Sequence, residues 1–360
     1  MTTLWAVALV LGTCVFVHEL GHFIAARLSG VEVKTFSLGF GPRLAGIKRG
    51  PTDYRLSLIP LGGYVKMVGE SLDEKTPLEK EAVSFAHQNV WRRLFIVAAG
   101  PAMNFVLAAV IFGIVLFFYG QPTLVSQVGQ VLKGFPAEAA GIQKNDLIVE
   151  LDDRKVETWE EMAKYIGSNG ERPIRVTVRR GDELLRLTMV PRMGESGNDV
   201  FGKTIKKPMI GISPSGKTVI MPLGPGQALA GGFVQTWTFT KVIFGSIVQL
   251  VRRRIPLSSL GGPIFIAQAA GQQAKAGWVN LFFFIGAISV NLGLLNILPI
   301  PVLDGGHILF FSIEALTRRP VSIRIRERAQ QVGLVFLLVF FVFIFYNDII
   351  RLLSGPSGIQ

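Results

Sequence analysis

Two imidazoles and a carboxylate stand close together near the start of the sequence, in His18-Glu19-Leu20-Gly21-His22. On an α-helix, residues four apart share a face, so His18 and His22 can hold one metal ion with Glu19 beside them. Neutral imidazoles suit zinc. Zinc lowers the pKa of a bound water from about 15.7 to about 7, and a neighbouring carboxylate can take the proton as water attacks a carbonyl. The setting is unusual for that chemistry, because the motif lies in a run of Val, Phe, Leu, Ile and Ala suited to lipid. A charge at mid-bilayer costs on the order of a few kcal/mol, which marks such residues as functional. A polar cluster that merely ties helices together is the competing reading.

A zinc hydrolase needs a third protein ligand and an open position for water or substrate. The late stretch "NLGLLNILPIPVLDGGHILF" offers Asp304, with no other acidic residue between Asp199 and Glu314. Pro299 and Pro301 stop a helix before it, and Gly305-Gly306 permit unusual backbone. Irregular backbone at membrane depth is tolerated where it lines a cavity. Asp304 is the expected third ligand. His307 competes by ligand type, its plain reading being a helix-start histidine hydrogen-bonded near the site. Cys14 lies one turn before His18, but as a fourth ligand it would close the open position, so it reads as a small buried side group. His87 reads as solvated.

These residues need a membrane fold to hold them. The 360 residues are 49% hydrophobic and only 17% charged, with a mean hydropathy of +0.44, too apolar for an ordinary soluble domain. Four apolar stretches, 4–28, 94–119, 278–298 and 329–346, approach the roughly 20 residues that cross a bilayer. The first lacks a basic leader and runs into the HExxH itself, so it reads as a retained span rather than a cleaved signal. A fifth stretch, 231–251, carries Gln235, Thr236, Thr238, Thr240, Lys241 and Gln249 and reads as an amphipathic helix on or in the interface.

The net charge of +12 reads as lipid-facing loops rather than nucleic-acid binding, since no aromatic–basic interleaving accompanies it. The basic loop 29–93 and the group Arg318, Arg319, Arg324, Arg326 and Arg328 fall inside by the positive-inside rule. Both termini and the segment between the second and third spans then lie outside. Arg252-Arg253-Arg254 resists this placement, but a fifth span would move the larger basic group outside. A single cysteine excludes an internal disulfide framework.

Residues 121–213 differ in kind. Runs such as "IRVTVRR" and "LLRLTMV" alternate with turns and a helical "TWEEMAKYI", giving a small soluble α+β domain. Residues 195–207 read as a flexible loop. The expected fold is therefore membrane α-helical, with about four transmembrane helices and one inserted soluble α+β domain. Its divisions are 1–120 with the HExxH span and the second span, 121–213 soluble, 214–277 amphipathic, and 278–360 with the LDG span and the final span.

"HELGH", "FSLGFGP…SLIPLGGYVKM" and "NILPIPVLDGG" together resemble the site-2 protease family of intramembrane zinc metalloproteases, in the bacterial regulator-of-sigma-E type with one PDZ domain. The resemblance runs from Val17 to Leu352. It implies one zinc ion per molecule on His18, His22 and Asp304, with Glu19 as catalytic base. It also implies that Asn296 and Asn291 contact substrate backbone or shape the site, although buried asparagines can equally tie two helices together. The stretch 36–67 alone reads as a β-hairpin. The resemblance makes it a re-entrant β-loop that holds an unwound substrate by strand addition, with Gly39, Gly41, Gly62 and Gly63 allowing close backbone approach.

"GFPAEAAGIQKNDLIVELDD" is similar to bacterial PDZ modules, with Asn145 where glycine is usual. Such a module could bind the C-terminal ends of other proteins or act as a size filter. The segment 245–264 resembles the family's amphipathic region before the LDG span. The implied activity is cleavage inside single-pass membrane proteins of the bacterial inner membrane, such as a pre-cut anti-sigma factor or remnant signal peptides. A membrane metal transporter and a PDZ-based adaptor are the alternatives, and Glu19 discriminates, since only a protease needs it for water activation.

Overall fold

The computed structural model describes residues 2–70, 77–198 and 201–354. They pack as two units, one from residues up to Val115 together with those from Leu229 onward, the other from Leu116–Ala228.

The first unit opens with α1 (Thr2–Leu28), which apart from its histidines carries charge only at Glu19 and Arg27. Apolar on all sides, it is a helix for lipid or a protein core. β1 (Val33–Arg49) and β2 (Thr52–Met67) follow. The first half of β1 lies between the two halves of β2. Phe36 is opposite both Tyr54 and Val65, and Leu38 opposite both Leu56 and Gly63, while Ile47 returns to Tyr54 around the Gly50 turn. Among the described residues Gly63–Met67 pairs with β1 on one side only and is left as an open edge. α2 (Val90–Tyr119) contains Pro101, whose missing N–H membrane helices tolerate. Phe36, Val65, Met67, Ile96 and Phe311 share one buried cluster with Ala25 and Ala26, so β1, β2 and α2 are packed onto α1.

The second unit is a small soluble fold. β3 (Gln121–Leu124), β4 (Val128–Val131) and the one-turn α3 (Pro136–Ala139) precede β5 (Leu147–Leu151) and β6 (Arg154–Lys155). Next come α4 (Trp159–Asn169), β7 (Ile174–Arg180) and β8 (Glu183–Met189). β9 (Arg192–Asn198), β10 (Thr204–Met209), β11 (Ile212–Pro214) and β12 (Thr218–Met221) complete it. The main sheet has the order β6-β5-β7-β8, and β3 and β4 pair with β12 and β11. α4 starts at a reciprocal cap, with Glu161 N donating to Thr158 Oγ1 (3.2 Å) and Thr158 N to Glu161 Oε2 (3.3 Å). Its Met162 and Ile166 reach the core of Ile148, Leu151, Ile174, Val176 and Val178. Asp146, 1% exposed, holds Arg180 through both carboxylate oxygens (2.9 and 2.8 Å).

The expected strands and helix lie where their patterns place them. The flexible loop expected over 195–207 does not. β9 and β10 pair as an antiparallel hairpin, Glu195 facing Lys206 and Met193 facing Pro208; residues 199 and 200 lie outside the described residues. Its Gly, Ser and Asn content suggested a loop, but ladder hydrogen bonds and cross-strand packing override composition.

The backbone re-enters the first unit through α5 (Pro225–Val251). The threonines that mark it as semi-polar turn inward on the helix, Thr236 Oγ1 donating to Gly232 O, Thr238 to Val234 O and Thr240 to Thr236 O. α6 (Pro263–Ala276), α7 (Trp278–Ile297), α8 (Asp304–Thr317) and α9 (Ile323–Ser354) close the fold. Four helices among the described residues are long and apolar enough to cross a membrane, Thr3–Leu28, Val90–Tyr119, Trp278–Ile297 and Ile323–Leu353, as expected. α9 is the least enclosed of them, with 11% of its most apolar stretch buried. Near its far end the buried Asp348 accepts hydrogen bonds from the main-chain N–H of Gly262, Ile264 and Phe265 (3.0–3.1 Å), which ties α9 to the start of α6.

Candidate metal centre

His18 and His22 point from α1 toward Asp304, the first residue of α8. The Pro299–Leu303 segment turns the backbone sharply after α7. A Cβ at Gly305 would strike the carbonyls of Ile297 and Leu298, and one at Gly306 would strike Pro301. The glycines therefore let the start of α8 sit against the end of α7, and that places Asp304 beside α1. His18 Nε2 is 3.0 Å from Asp304 Oδ2, His22 Nε2 is 3.5 Å from the same oxygen, and the two Nε2 atoms are 3.2 Å apart. Four-coordinate zinc with bonds of about 2.0–2.1 Å holds its ligands about 3.3 Å apart, so this triangle fits one face of such a site. His18 is 6% exposed.

α2 supplies the other wall through one stripe of successive turns, Ile96, Gly100 and Asn104. The Ile96 carbonyl accepts the Nδ1–H of His22 (2.8 Å), which leaves Nε2 with the lone pair a metal needs. A Cβ at Gly100 would run into the His22 ring and come within 2.9 Å of His18 Nε2. The amide of Asn104, fully buried, is 3.1 Å from His18 Nδ1. Gly21 plays the matching part on α1, where a Cβ would meet the Ala99 carbonyl. Small residues on both helices allow the backbones to approach closely, as in membrane helix pairs generally.

Glu19 sits between the histidines and the open edge of β2. Its Oε2 accepts the main-chain N–H of Val65 (3.0 Å), and Glu70 Oε2 accepts the N–H of Met67 (2.9 Å), the next outward donor on that edge. Gly63 lies against Glu19 as well, since a Cβ there would meet Glu19 Cγ at 3.5 Å. A cavity of about 550 Å³ joins these groups, its wall including His18, Glu19, His22, Asp304, Glu70 and Arg326.

The structure therefore gathers His18, His22, Glu19 and Asp304, with Gly63 adjacent. Asn296, on α7, brings its amide 3.5 Å from His18 Nδ1. Asn291, on the same helix, is half-buried and is not among the residues lining the cavity. Gly39 and Gly62 take positive φ (+93° and +134°) away from the imidazoles, where they shape the hairpin around Ile59 and Phe40, and Gly41 borders the same turn. His307 lines the cavity with its ring beside Phe311, outside the His18–His22–Asp304 group. Cys14 is buried among α6 and α7 residues with Sγ 3.6 Å from the Ile285 carbonyl. Sequence reasoning missed Gly100 and Asn104. Asn104 carried a readable signal, as the one strongly polar residue in the apolar run 94–119.

The family model for peptidase family M50 matches residues 6–340. The chain belongs to peptidase family M50. This M50 protein is 39% identical to a protein of Agrobacterium fabrum over 96% of its own length and 95% of that protein's. It is 35% identical to one of Campylobacter jejuni over 97% and 94%. Both are named, provisionally, as zinc metalloproteases. It is 33% identical to the metalloprotease MmpA of Caulobacter vibrioides over 95% and 94%. The family and these relatives establish a metalloprotease with several membrane helices. The solved PDZ domain of an SdrC-like protein from Listeria innocua matches 26% of this sequence and 96% of that domain, at 21% identity and a TM-score of 0.21, too slight a likeness to argue from.

Proposed function

We propose that this M50 peptidase cuts peptide bonds within the transmembrane segments of single-pass membrane proteins. His18, His22 and Asp304 would hold one zinc ion, which when bound supplies Lewis acidity and an acidified water. Glu19 takes the proton from the attacking water and returns it to the departing amine. The observation that carries this reading is the convergence of the three donors and Glu19 on one cavity inside a helix assembly that is apolar on its outer surface.

A helical peptide bond is shielded by its own hydrogen bonds and must unwind before attack. The edge Gly63–Met67 then receives the extended segment by strand addition beside Glu19. This is the role of a re-entrant β-loop, and it gives Gly63 a direct place in substrate binding. Gly39, Gly41 and Gly62 act through the shape of the hairpin. Asn296 and Asn291 serve substrate positioning from α7. The setting is a bacterial cytoplasmic membrane, and the positive-inside rule supports an orientation with the active site near the cytoplasmic face and both termini outside; the final six residues lie outside those described. Water then has only a short path to the site. The soluble unit, PDZ-like in its residue pattern, falls on the periplasmic side, where it can screen substrates by size or by their C-termini. A pre-cut anti-sigma factor or a remnant signal peptide has the required single span and short external part.

The test is Glu19→Gln. Wild type and variant are purified in detergent with zinc content measured. They are then given a single-pass substrate whose span contains helix-weakening residues. Equal zinc and a loss of cleavage by roughly 10²–10⁴-fold is expected, the usual contribution of a general base. Undiminished cleavage by the variant would remove Glu19 from the mechanism. Zinc movement across liposomes without cleavage of any substrate would return the transporter reading.

A further inference from the structure

The two histidines are oriented by different devices. His22 Nδ1 faces a carbonyl, which can only accept, so its proton is fixed on Nδ1. Among the described residues His18 Nδ1 meets no main-chain carbonyl. It faces the Asn104 amide at 3.1 Å and the Asn296 amide at 3.5 Å, and an amide can present either its oxygen or its NH₂. If Asn104 presents NH₂, His18 Nδ1 must accept and Nε2 carries the proton. That N–H then points at Asp304 Oδ2, 3.0 Å away, and His18 has no lone pair for a metal.

A third group decides between the two orientations. Ser289, fully buried on α7, lies 2.9 Å from the main-chain carbonyl of Asn104 and 3.4 Å from the amide atom placed as Oδ1, while the atom placed as Nδ2 faces His18; the two ends of an amide are told apart by their hydrogen bonds alone. A hydroxyl has one hydrogen. The carbonyl at 2.9 Å takes it, being the nearer acceptor. The Ser289 oxygen can then only accept from the amide, so the amide turns its NH₂ to Ser289 and its oxygen to His18. With the amide turned over from its placed orientation, the series of donors that these contacts select is Ser289 O–H to Asn104 O, Asn104 Nδ2–H to Ser289 Oγ, and His18 Nδ1–H to Asn104 Oδ1. The Nε2 lone pair of His18 is left facing Asp304 and His22.

We propose that Asn104, oriented by Ser289, is the positioning residue that selects the metal-binding tautomer of His18. The proposal rests on the reading of His18, His22 and Asp304 as a zinc site. It assigns to α2 both tautomer-setting contacts, the Ile96 carbonyl for His22 and the Asn104 amide for His18, two turns apart on one stripe.

The experiment measures zinc affinity of the full-length protein in detergent by competition with a chromophoric chelator. The visible spectrum of the cobalt-substituted protein serves as a second readout, and thermal melting checks the fold. Asn104→Leu keeps the volume and removes the acceptor; it should weaken zinc binding roughly 10–100-fold, as loss of an outer-shell partner does. Asn104→Asp can only accept from Nδ1–H, and the Ser289 hydroxyl can turn to its second oxygen, so it should bind zinc clearly more tightly than Asn104→Leu and return the cobalt spectrum. A residue that merely packs would not be rescued by a buried carboxylate. Ser289→Ala frees the amide to turn and should fall between the two. Wild-type affinity in Asn104→Leu, or a loss in Asn104→Asp as large as in Asn104→Leu, overturns the proposal while leaving the zinc site standing. If Asn104→Leu does not fold, Asn104→Asp binding less tightly than Ser289→Ala overturns it. A wild type that binds no zinc overturns the metal site and this proposal together.

Discussion

At the scale of single residues, the site depends on a side group that is missing. Gly100 lies where any Cβ would enter the His22 ring and crowd His18 Nε2. Overpacking of this kind costs about 1–3 kcal/mol when neighbours must shift. Here the neighbours are the two imidazoles, held by Ile96 and Asn104, so the cost falls on their geometry. Gly100→Ala should therefore lower zinc affinity roughly tenfold or more, since about 1.4 kcal/mol corresponds to a decade. The helices should still melt as in the wild type; a variant with unaltered zinc affinity would show that the rings can move aside. The histidines, Glu19 and Asp304 were legible in the sequence because ionisable groups in apolar runs are costly and need a reason. Asn104, polar but not ionisable, stood out in its apolar run for a related reason but matched no motif. Gly100 could not be read, because what it makes room for comes from another helix.

At the scale of elements, the hairpin of β1 and β2 ends in an edge whose outward N–H groups are already engaged, Val65 by Glu19 and Met67 by Glu70. Edge strands accept proline where the N–H faces outward, because no ladder bond is lost. Val65→Pro should thus keep the hairpin while removing the contact to Glu19 and, with it, the donor that an extended substrate would have to take over from that carboxylate. A hydrogen bond to a charged group contributes about 1.5–3 kcal/mol. The expected result is a fall in kcat/KM of roughly 10–100-fold at unchanged zinc content, and an unchanged kcat/KM would take Val65 N–H out of substrate handling. The glycines and prolines of 36–67 announced strands and turns. The doubling of β2 around the first half of β1 was not announced, because register depends on partners and not on the composition of either strand. The same physics hid the β9–β10 hairpin behind a loop-like composition.

At the scale of the whole molecule, the two units answer to different solvents, and the soluble one carries a pH dependence of its own. Burial opposes ionisation of Asp146, but the Arg180 guanidinium and the Gln143 N–H outweigh it and hold the carboxyl below the usual aspartate range. A folded-state pKa below the unfolded one contributes stability that is complete above the unfolded value, about 3.9, and is lost as pH falls through the folded value. Protection from hydrogen exchange on α4 and β7 of the full-length protein, taken relative to the intrinsic rate at each pH, should accordingly fall as the pH drops below about 4. Asp146→Asn should raise exchange there at pH 7 and flatten the acid step; a step of unchanged size would assign it to other carboxylates. The spans were legible at this scale because long apolar runs have few alternatives, and so was the insertion of a soluble unit between them.

α9, the least enclosed of the four long helices, is tied at one end by Asp348. Its 32 residues make a rod about 48 Å long at 1.5 Å per residue, against a hydrocarbon layer of about 30 Å. The apolar run 329–346 takes up about 27 Å of the rod and matches that layer, so the turns with Arg324, Arg326 and Arg328 at one end and Asp348 and Arg351 at the other stand beyond it. Arg326, near its start, is part of the cavity wall, while Asp348 anchors the opposite end. A tie about 33 Å along the helix axis from Arg326 thus fixes the far end of the rod that closes one side of the cavity.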